Sequence, residues 1–456
     1  MRVFLRTVPY ACLILTASSV SAQITPANSV KEGKGGQEPA VNAAQTYGPP
    51  AIAAELARAP SPVAIPDPLD LAAALAAATH PLVDASEAEA EALGSEYRGA
   101  RWLRYPSLSV EALAATEGSS FADQDGLALN AILEQPVWTG GRISGQINRA
   151  RSTLRAGEDR VTEAQRNIVL RVVEAYYDLV RSHERFAVID ASLEEHGTLL
   201  GSIGRRVEQQ VSPAADLTLG RSRTAQVELE RALADEGRSS ARVRLLELTG
   251  GVAIEPVLPP SSVADNLPTE ELALAEALAC SPSLAALTDL IDVAEADKDI
   301  ARSQLWPQLL LQLSQNEITG ARAAIVLRAQ MGNGLSQFTA IDTSKARIQR
   351  ALAEFGDAER QLREQLRRDY VLVRASRARV EAGVMAADTA AQIIESYRRQ
   401  FIAGRRSWLD VMNATREATS ARLSEMDARV AAAQGTARIL ALTCRWRPFG
   451  SQGALQ

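Results

Sequence analysis

The sequence predicts a mostly α-helical fold with membrane-spanning β-strands. It is built as two copies of one unit, in which a β-hairpin leads into a long coiled-coil helical hairpin. Three observations predict it. Ala, Leu, Arg, Glu and Gln dominate while aromatics make up only 4%, the composition of long helices rather than of sandwiches or α/β layers. No proline falls between Pro136 and Pro213, between Pro213 and Pro256, or between Pro307 and Pro448, so helices there can run without a kink. The proline-anchored motifs of the first half also return, in order, in the second.

The chain opens on Arg2 and Arg6, a mostly apolar run from Val8 to Ala17, and the small residues Val20-Ser21-Ala22. This pattern predicts a signal peptide over 1–22 and a mature chain from Gln23. Cys12 lies inside that segment, so lipid attachment through a cysteine after the cleavage point is not indicated. Residues 23–66 are rich in Pro, Ala, Gly and Ser, cannot bury a core, and read as a flexible arm. Helical spacing begins with Leu69, Leu71 and Leu75. It opens a first repeat, 67–255, with strands at about 107–115 and 126–137 and a helical hairpin at about 142–249. A linker with four prolines, 256–268, leads to a second repeat, 269–446. Its strands are expected at about 308–316 and 322–332 and its helical hairpin at about 335–444, before a C-terminal tail, 447–456.

The duplication rests on matched motifs. Ala76-Ala77-Ala78-Thr79-His80-Pro81 resembles Ala277-Leu278-Ala279-Cys280-Ser281-Pro282, and Tyr105-Pro106-Ser107-Leu108 resembles Trp306-Pro307-Gln308-Leu309. Both pairs are 201 residues apart. Later, Arg149-Ala150-Arg151 answers Lys345-Ala346-Arg347, and Asp216-Leu217 answers Asp410-Val411, at offsets of 196 and 194. Four matches in order argue for a repeat.

After each aromatic-Pro pair the period becomes two. Leu108, Val110, Ala112 and Ala114 alternate with polar neighbours, and Leu127, Leu129, Ala131 and Leu133 return across a polar loop. In the second half Leu309, Leu311 and Leu313 pair with a run containing Ile325 and Leu327. Each run is about ten residues, the length of a tilted transmembrane strand, with Leu309, Leu311, Leu313 and Leu327 expected to face lipid. Alternation alone fits a half-buried soluble sheet equally well. Four strands in lipid would leave two bare edges, so a membrane-spanning version must assemble from several copies. Tyr105, Trp138 and Trp306 stand where strands meet helices, the place of an interfacial aromatic belt.

From Ile143 through Ile147, Ala150, Leu154, Gly157, Val161 and onward to Leu179, small or apolar residues recur in steps of three and four, the coiled-coil pattern. A helix over 142–208 would be roughly 100 Å long at about 1.5 Å per residue. The second half repeats the theme from Ile348 to Val380. Each rod turns back at a tip, one through Pro213 and Asp216, the other through Gly404, Ser407 and Asp410.

Several functions are excluded or disfavoured. A net charge of −6 gives no basic face for nucleic acid. No stretch after residue 22 is long and apolar enough for a transmembrane helix. His80, His183 and His196 are the only histidines and none has metal-ligand spacing, so neither an enzyme nor a cofactor site is expected. Cys280 and Cys444 show no framework spacing and read as two semi-buried thiols, although an exported chain could pair them.

Across about 67–446 the chain resembles the TolC family of outer-membrane efflux and type I secretion channels. The most specific piece is Gln135-Pro136-Val137-Trp138-Thr139-Gly140-Gly141-Arg142, similar to that family's strand-to-helix junction. Its second-repeat counterpart, Ala329 to Gly334, lacks the proline. Gly404, Arg406 and Asp410 match the family's periplasmic aperture, which implies an acidic constriction at Asp410 with Arg406 helping to hold neighbouring helices shut. Asn413 stands where some relatives carry a second acid, and Asp216 is the first-repeat counterpart, in a tip that lacks the usual glycine near Gln210. The resemblance implies a homotrimer whose twelve strands close one β-barrel continuous with an α-helical barrel. It also implies an outer-membrane site with most of the chain in the periplasm. A periplasmic adaptor and an inner-membrane transporter of RND or ABC type are the implied partners. The rival reading is a periplasmic adaptor, which normally carries one helical hairpin between β-rich domains; a soluble coiled-coil scaffold is a third.

Overall fold

The computed structural model describes residues 64–115, 126–260, 262, 267–316, 320–329 and 336–448. The expected signal peptide, nearly all of the arm, most of the second strand-to-helix junction and the last eight residues lie outside them. The chain order is α1 (Asp67–Thr79), α2 (Pro81–Trp102), β1 (Ser107–Ala115), β2 (Gly126–Trp138), α3 (Arg142–Glu208) and α4 (Ala214–Leu248). The same series then recurs as α5 (Glu270–Cys280), α6 (Pro282–Ser303), β3 (Gln308–Asn316), β4 (Gly320–Arg328), α7 (Ser336–Ile402) and α8 (Trp408–Leu442).

The repeat is closer than the motifs alone indicated. α3 and α7 each span 67 residues, and α4 and α8 each span 35. Both helical hairpins are therefore displaced by a uniform 194 residues, which sets Lys345 opposite Arg151 rather than Arg149. Upstream, α2 and α6 each hold 22 residues, displaced by 201.

The two long rods organise everything else. α3 packs on α2 and α6 toward the sheet end, and on α4 and α8 toward the tips, while α7 packs on α6 and α8. Four helices thus stand side by side in each half, α2–α3–α6–α7 and α4–α3–α8–α7. The main core lies midway along the rods. There Val172, Val173, Tyr176 and Tyr177 of α3 meet α1 and the end of α8. A second cluster sets Leu366, Tyr370 and Val373 of α7 against α5. Two tyrosines related by the 194-residue displacement grip the linker between repeats. The Tyr176 hydroxyl accepts from Val257 N–H at 3.1 Å, and the Tyr370 hydroxyl donates to the Pro268 carbonyl at 2.8 Å.

One expectation is corrected. Cys280 and Cys444 are joined by a disulfide, with Cα atoms 6.4 Å apart, and are not free thiols. The fold brings them together because Cys280 ends α5 and Cys444 follows α8 in a left-handed turn, φ 57°. The repeat-related positions in the first half are Thr79 and Gly250. They also approach: a Cβ on Gly250 would lie 3.6 Å from Thr79 Oγ1. The bridge is a covalent version of a contact the fold makes twice.

Candidate functional site

The sheet is antiparallel with strand order β1-β2-β3-β4 and two unpaired edges. Its register sorts the side chains. Leu133 pairs with Leu108 and with Leu313, and Leu313 pairs with Ala323. Leu311 pairs with Gln135 and Ile325, and Leu309 with Trp138 and Leu327. Directly opposed residues share a face. One face therefore carries Leu108, Val110, Leu129, Leu133, Leu309, Leu311, Leu313, Ile325 and Leu327, and most of these are exposed. The opposite face carries Ser109, Glu111, Asn130, Glu134, Gln312, Ser314, Arg322 and Arg328, with Arg328 3.3 Å from Glu134. An apolar face exposed on one side of a polar one is the alternation of a lipid-facing strand set.

β4 begins at Gly320, two residues earlier than its sequence pattern indicated, and residues 330–332 of the expected strand lie outside the described residues. Its ladder with β3 runs from Asn316↔Gly320 to Gln308↔Arg328.

The junction at the end of β2 is tightly specified. Pro136 lies past the last β1 partner, since the β1–β2 ladder ends at Ser107↔Glu134, so its missing N–H costs no bond on that side. Gln135 Nε2 covers the gap by donating to the Arg104 and Pro136 carbonyls at 3.0 and 2.9 Å. Gly140 has φ 61° and any Cβ would sit 2.7 Å from the Trp306 Cβ, so both the backbone and the close approach demand glycine. Gly141, φ 93°, is the N-cap of α3. Trp138 and Trp306 meet edge to face at 6.3 Å, and Tyr105 contacts Trp102 at 5.1 Å. All four aromatics are exposed. Trp102 escaped the sequence reading because it ends α2, although its spacing from Tyr105 was a signal.

At the far end the two tips pack together through Ile203, Phe401, Trp408, Val411 and Met412. Each rod closes with the same Schellman motif: Val211 N–H to the Arg206 carbonyl at 2.8 Å, and Arg405 N–H to the Gln400 carbonyl at 2.9 Å. The left-handed residue is Gly404, φ 73°, in one tip and Gln210, φ 59°, in the other. Pro213 and Ser407 are the N-caps of α4 and α8. Ser407 Oγ accepts from Leu409 N–H at 3.2 Å, so Asp410 is not the capping group. Asp216 and Asp410 instead occupy the first turn, where the helix dipole favours an anion.

Arg406 lies over the Tyr397 ring at 3.8 Å, donates to Gln400 Oε1 at 3.2 Å, and stands 3.7 Å from Asp410. All of these partners belong to its own hairpin. At the tips, Arg206 ties one hairpin to the other: it donates to the Phe401 carbonyl at 2.7 Å and covers the Phe401 ring at 4.2 Å. No motif marks Arg206 in the sequence. Asn413 is exposed one turn along α8, bordering a shallow groove with Gly383 and Arg416.

The model of the family described as "Outer membrane efflux protein" matches residues 72–251 and 273–444, one segment on each repeat. The chain is 28% identical over 189 residues to the cobalt-zinc-cadmium resistance protein CzcC of Cupriavidus metallidurans, covering 41% of this chain and 45% of that one. It is 22% identical over 320 residues to the alkaline protease secretion protein AprF of Pseudomonas aeruginosa, covering 66% of each. The matches thus span about half and just under two thirds of these relatives. Among solved structures, CusC aligns with a TM-score of 0.74 at 14% identity, covering 83% of this chain and 92% of that one. The outer membrane protein VceC of Vibrio cholerae aligns with a TM-score of 0.71 at 17% identity, covering 82% and 96%. With its family model matched over both repeats, the chain belongs to the outer membrane efflux protein family.

Proposed function

We propose that the chain is one subunit of the outer-membrane exit duct of an efflux or type I secretion system. It is a passive conduit with a gate at its periplasmic tips. The sheet lies in the outer membrane and the helical rods lie in the periplasm. The observation that carries this reading is that the protomer is an incomplete ring. β1 and β4 are open edges, which lipid does not tolerate. Two copies would give eight strands, a barrel filled by its own side chains; three give twelve, enough for a lumen.

The helices support the same closure. α3 uses one side for α6 and α8, whereas the matching side of α7 is bare among the described residues. Tyr177 of α3 is fully buried, and its repeat counterpart Val371 is 58% exposed. Conversely, Ala437 of α8 is fully buried while its counterpart Val243 on α4 is 56% exposed. α7 of one copy would receive α2 and α4 of the next, completing rows of twelve helices in a homotrimer.

Arg406 and Asp410 would line the constriction at the tips, where three copies of Asp410 form an acidic ring that favours cations. A periplasmic adaptor would engage the tips, and an inner-membrane transporter of RND or ABC type would select the cargo and drive it. The adaptor reading is set aside, because each helical hairpin follows its own strand pair and the family model falls on both. Fractionation and native mass in mild detergent test the assignment. Recovery as an outer-membrane trimer is expected; recovery in the inner membrane or soluble periplasm, or as a monomer, overturns it.

A further inference from the structure

Where the end of α5, the start of α6 and the segment after α8 converge, a cavity of about 190 Å³ is bordered by Asp159, Arg166, Ser281, Pro282, Trp446 and Arg447. The Cys280–Cys444 bridge lies in its wall, so this convergence is held covalently.

Arg166 of α3 is only 8% exposed, yet its Nε and Nη1 have no hydrogen-bond partner. Burial lowers its pKa, against the raising effect of the Glu163 carboxylate. A buried guanidinium without an acceptor is among the costliest arrangements a fold can hold. Something of opposite charge would remove that cost.

The first turn of α6 borders the same cavity and is uncapped. Ser281 occupies the N-cap without its side chain bonding any amide, and Pro282 has no N–H to offer. In the other repeat the corresponding turn of α2 is closed by its own chain, since His80 Nδ1 accepts from Leu82 N–H at 3.1 Å. An open helix N-terminus beside a buried arginine is a place for an anion. Arg447 adds a second, exposed cation at the rim. Asp159 is the one acid on the wall. Burial, Asp289 of α6 and Glu158 push its carboxyl up to about 6, against the opposing pull of Arg155, so it becomes neutral only below that pH.

We propose that this cavity binds a small oxyanion, a phosphate or carboxylate group, held by the Arg166 guanidinium at the N-terminal end of α6. The full-length protein in non-ionic detergent, disulfide intact, is titrated with inorganic phosphate and separately with acetate at constant ionic strength. Calorimetry follows the binding. Saturable binding at one site per chain is expected with at least one of them. Preference for phosphate assigns a phosphoryl group as the natural ligand, and preference for acetate a carboxylate. Arg166→Met should abolish the binding while leaving Tm without the anion unchanged or raised, because it removes an unpaired buried charge. Arg447→Gln should weaken the binding several-fold. No saturable binding with either anion, or equal binding in wild type and both variants, overturns the proposal. Should Arg166→Met fail to assemble, the wild-type stoichiometry and the response of Arg447→Gln decide it.

Discussion

Gln210 and Gly404 hold the same backbone conformation at repeat-related positions, and only one of them is suited to it. A non-glycine residue in the left-handed region costs about 1 kcal/mol. Gln210→Gly is therefore expected to stabilise the first tip by about 1 kcal/mol. Nothing lies within 4 Å of a Cβ added to Gly404, so Gly404→Ala should cost a similar amount through the backbone alone. Thermal unfolding of the two variants should move in opposite directions; a shift of the same sign in both would break the equivalence. Asp410 carries the functional prediction at this scale. Asp410→Ala should raise the conductance of the reconstituted pore or reduce its cation preference, and an unchanged value for both would remove Asp410 from the gate. How much of this was legible differs by residue. Gly404 and Asp410 stand in a motif, so the sequence displays them. Arg206 makes its bonds to a residue 195 positions away and belongs to no motif. The disulfide was hidden for the same reason, although the repeat offsets that map Cys280 to Thr79 and Cys444 to Gly250 held a clue.

Elements were easier to read than their pairing. Proline-free spans and three-four periodicity display the rods, because a helix is a local object whose face is written every turn. The strands are visible as alternation, but their register joins residues of β2 to residues of β3 that lie 171 to 186 positions further on, and no local pattern encodes it. That register supplies a test with its own control. Leu311→Arg puts a charge on the apolar face and should cost about 2–4 kcal/mol near the bilayer midplane, seen as loss of assembled protein in the outer membrane. Gln312→Arg, one residue on, joins Arg322 and Arg328 on the polar face and should be tolerated. Equal behaviour of the two variants would refute the assignment of faces. At the rod midpoint, the Cys280–Cys444 bridge closes a sequence separation of 164, for which chain entropy alone allows up to about 5 kcal/mol. Cys280→Ser should lower the unfolding temperature, and reductant should then lower it no further.

For the whole molecule, the strongest constraint is that one copy makes only half of the helix contacts that can form between repeats. Inside the protomer, α3 meets α8 through Ser192, whose Oγ accepts from Thr419 Oγ1 at 3.0 Å, with Ser192 buried. The positions 194 residues on from Ser192 and 194 before Thr419 are Ala386 on α7 and Ala225 on α4. Both are exposed. If three copies repeat between subunits the packing each makes within itself, Ala386 of one copy must sit beside Ala225 of the next. Ala225→Cys combined with Ala386→Cys should then form an intersubunit disulfide, because the Cβ separation implied by the Ser192–Thr419 contact is within reach of one. Cys280 and Cys444 are already paired and should not compete. Under mild oxidation the double variant is expected to run as covalent dimers and trimers on denaturing gels, and each single variant as a monomer. A double variant that stays monomeric while the protein remains assembled would mean that neighbouring copies meet in some other way. The pseudo-symmetric ring would then be wrong even though the oligomer was right.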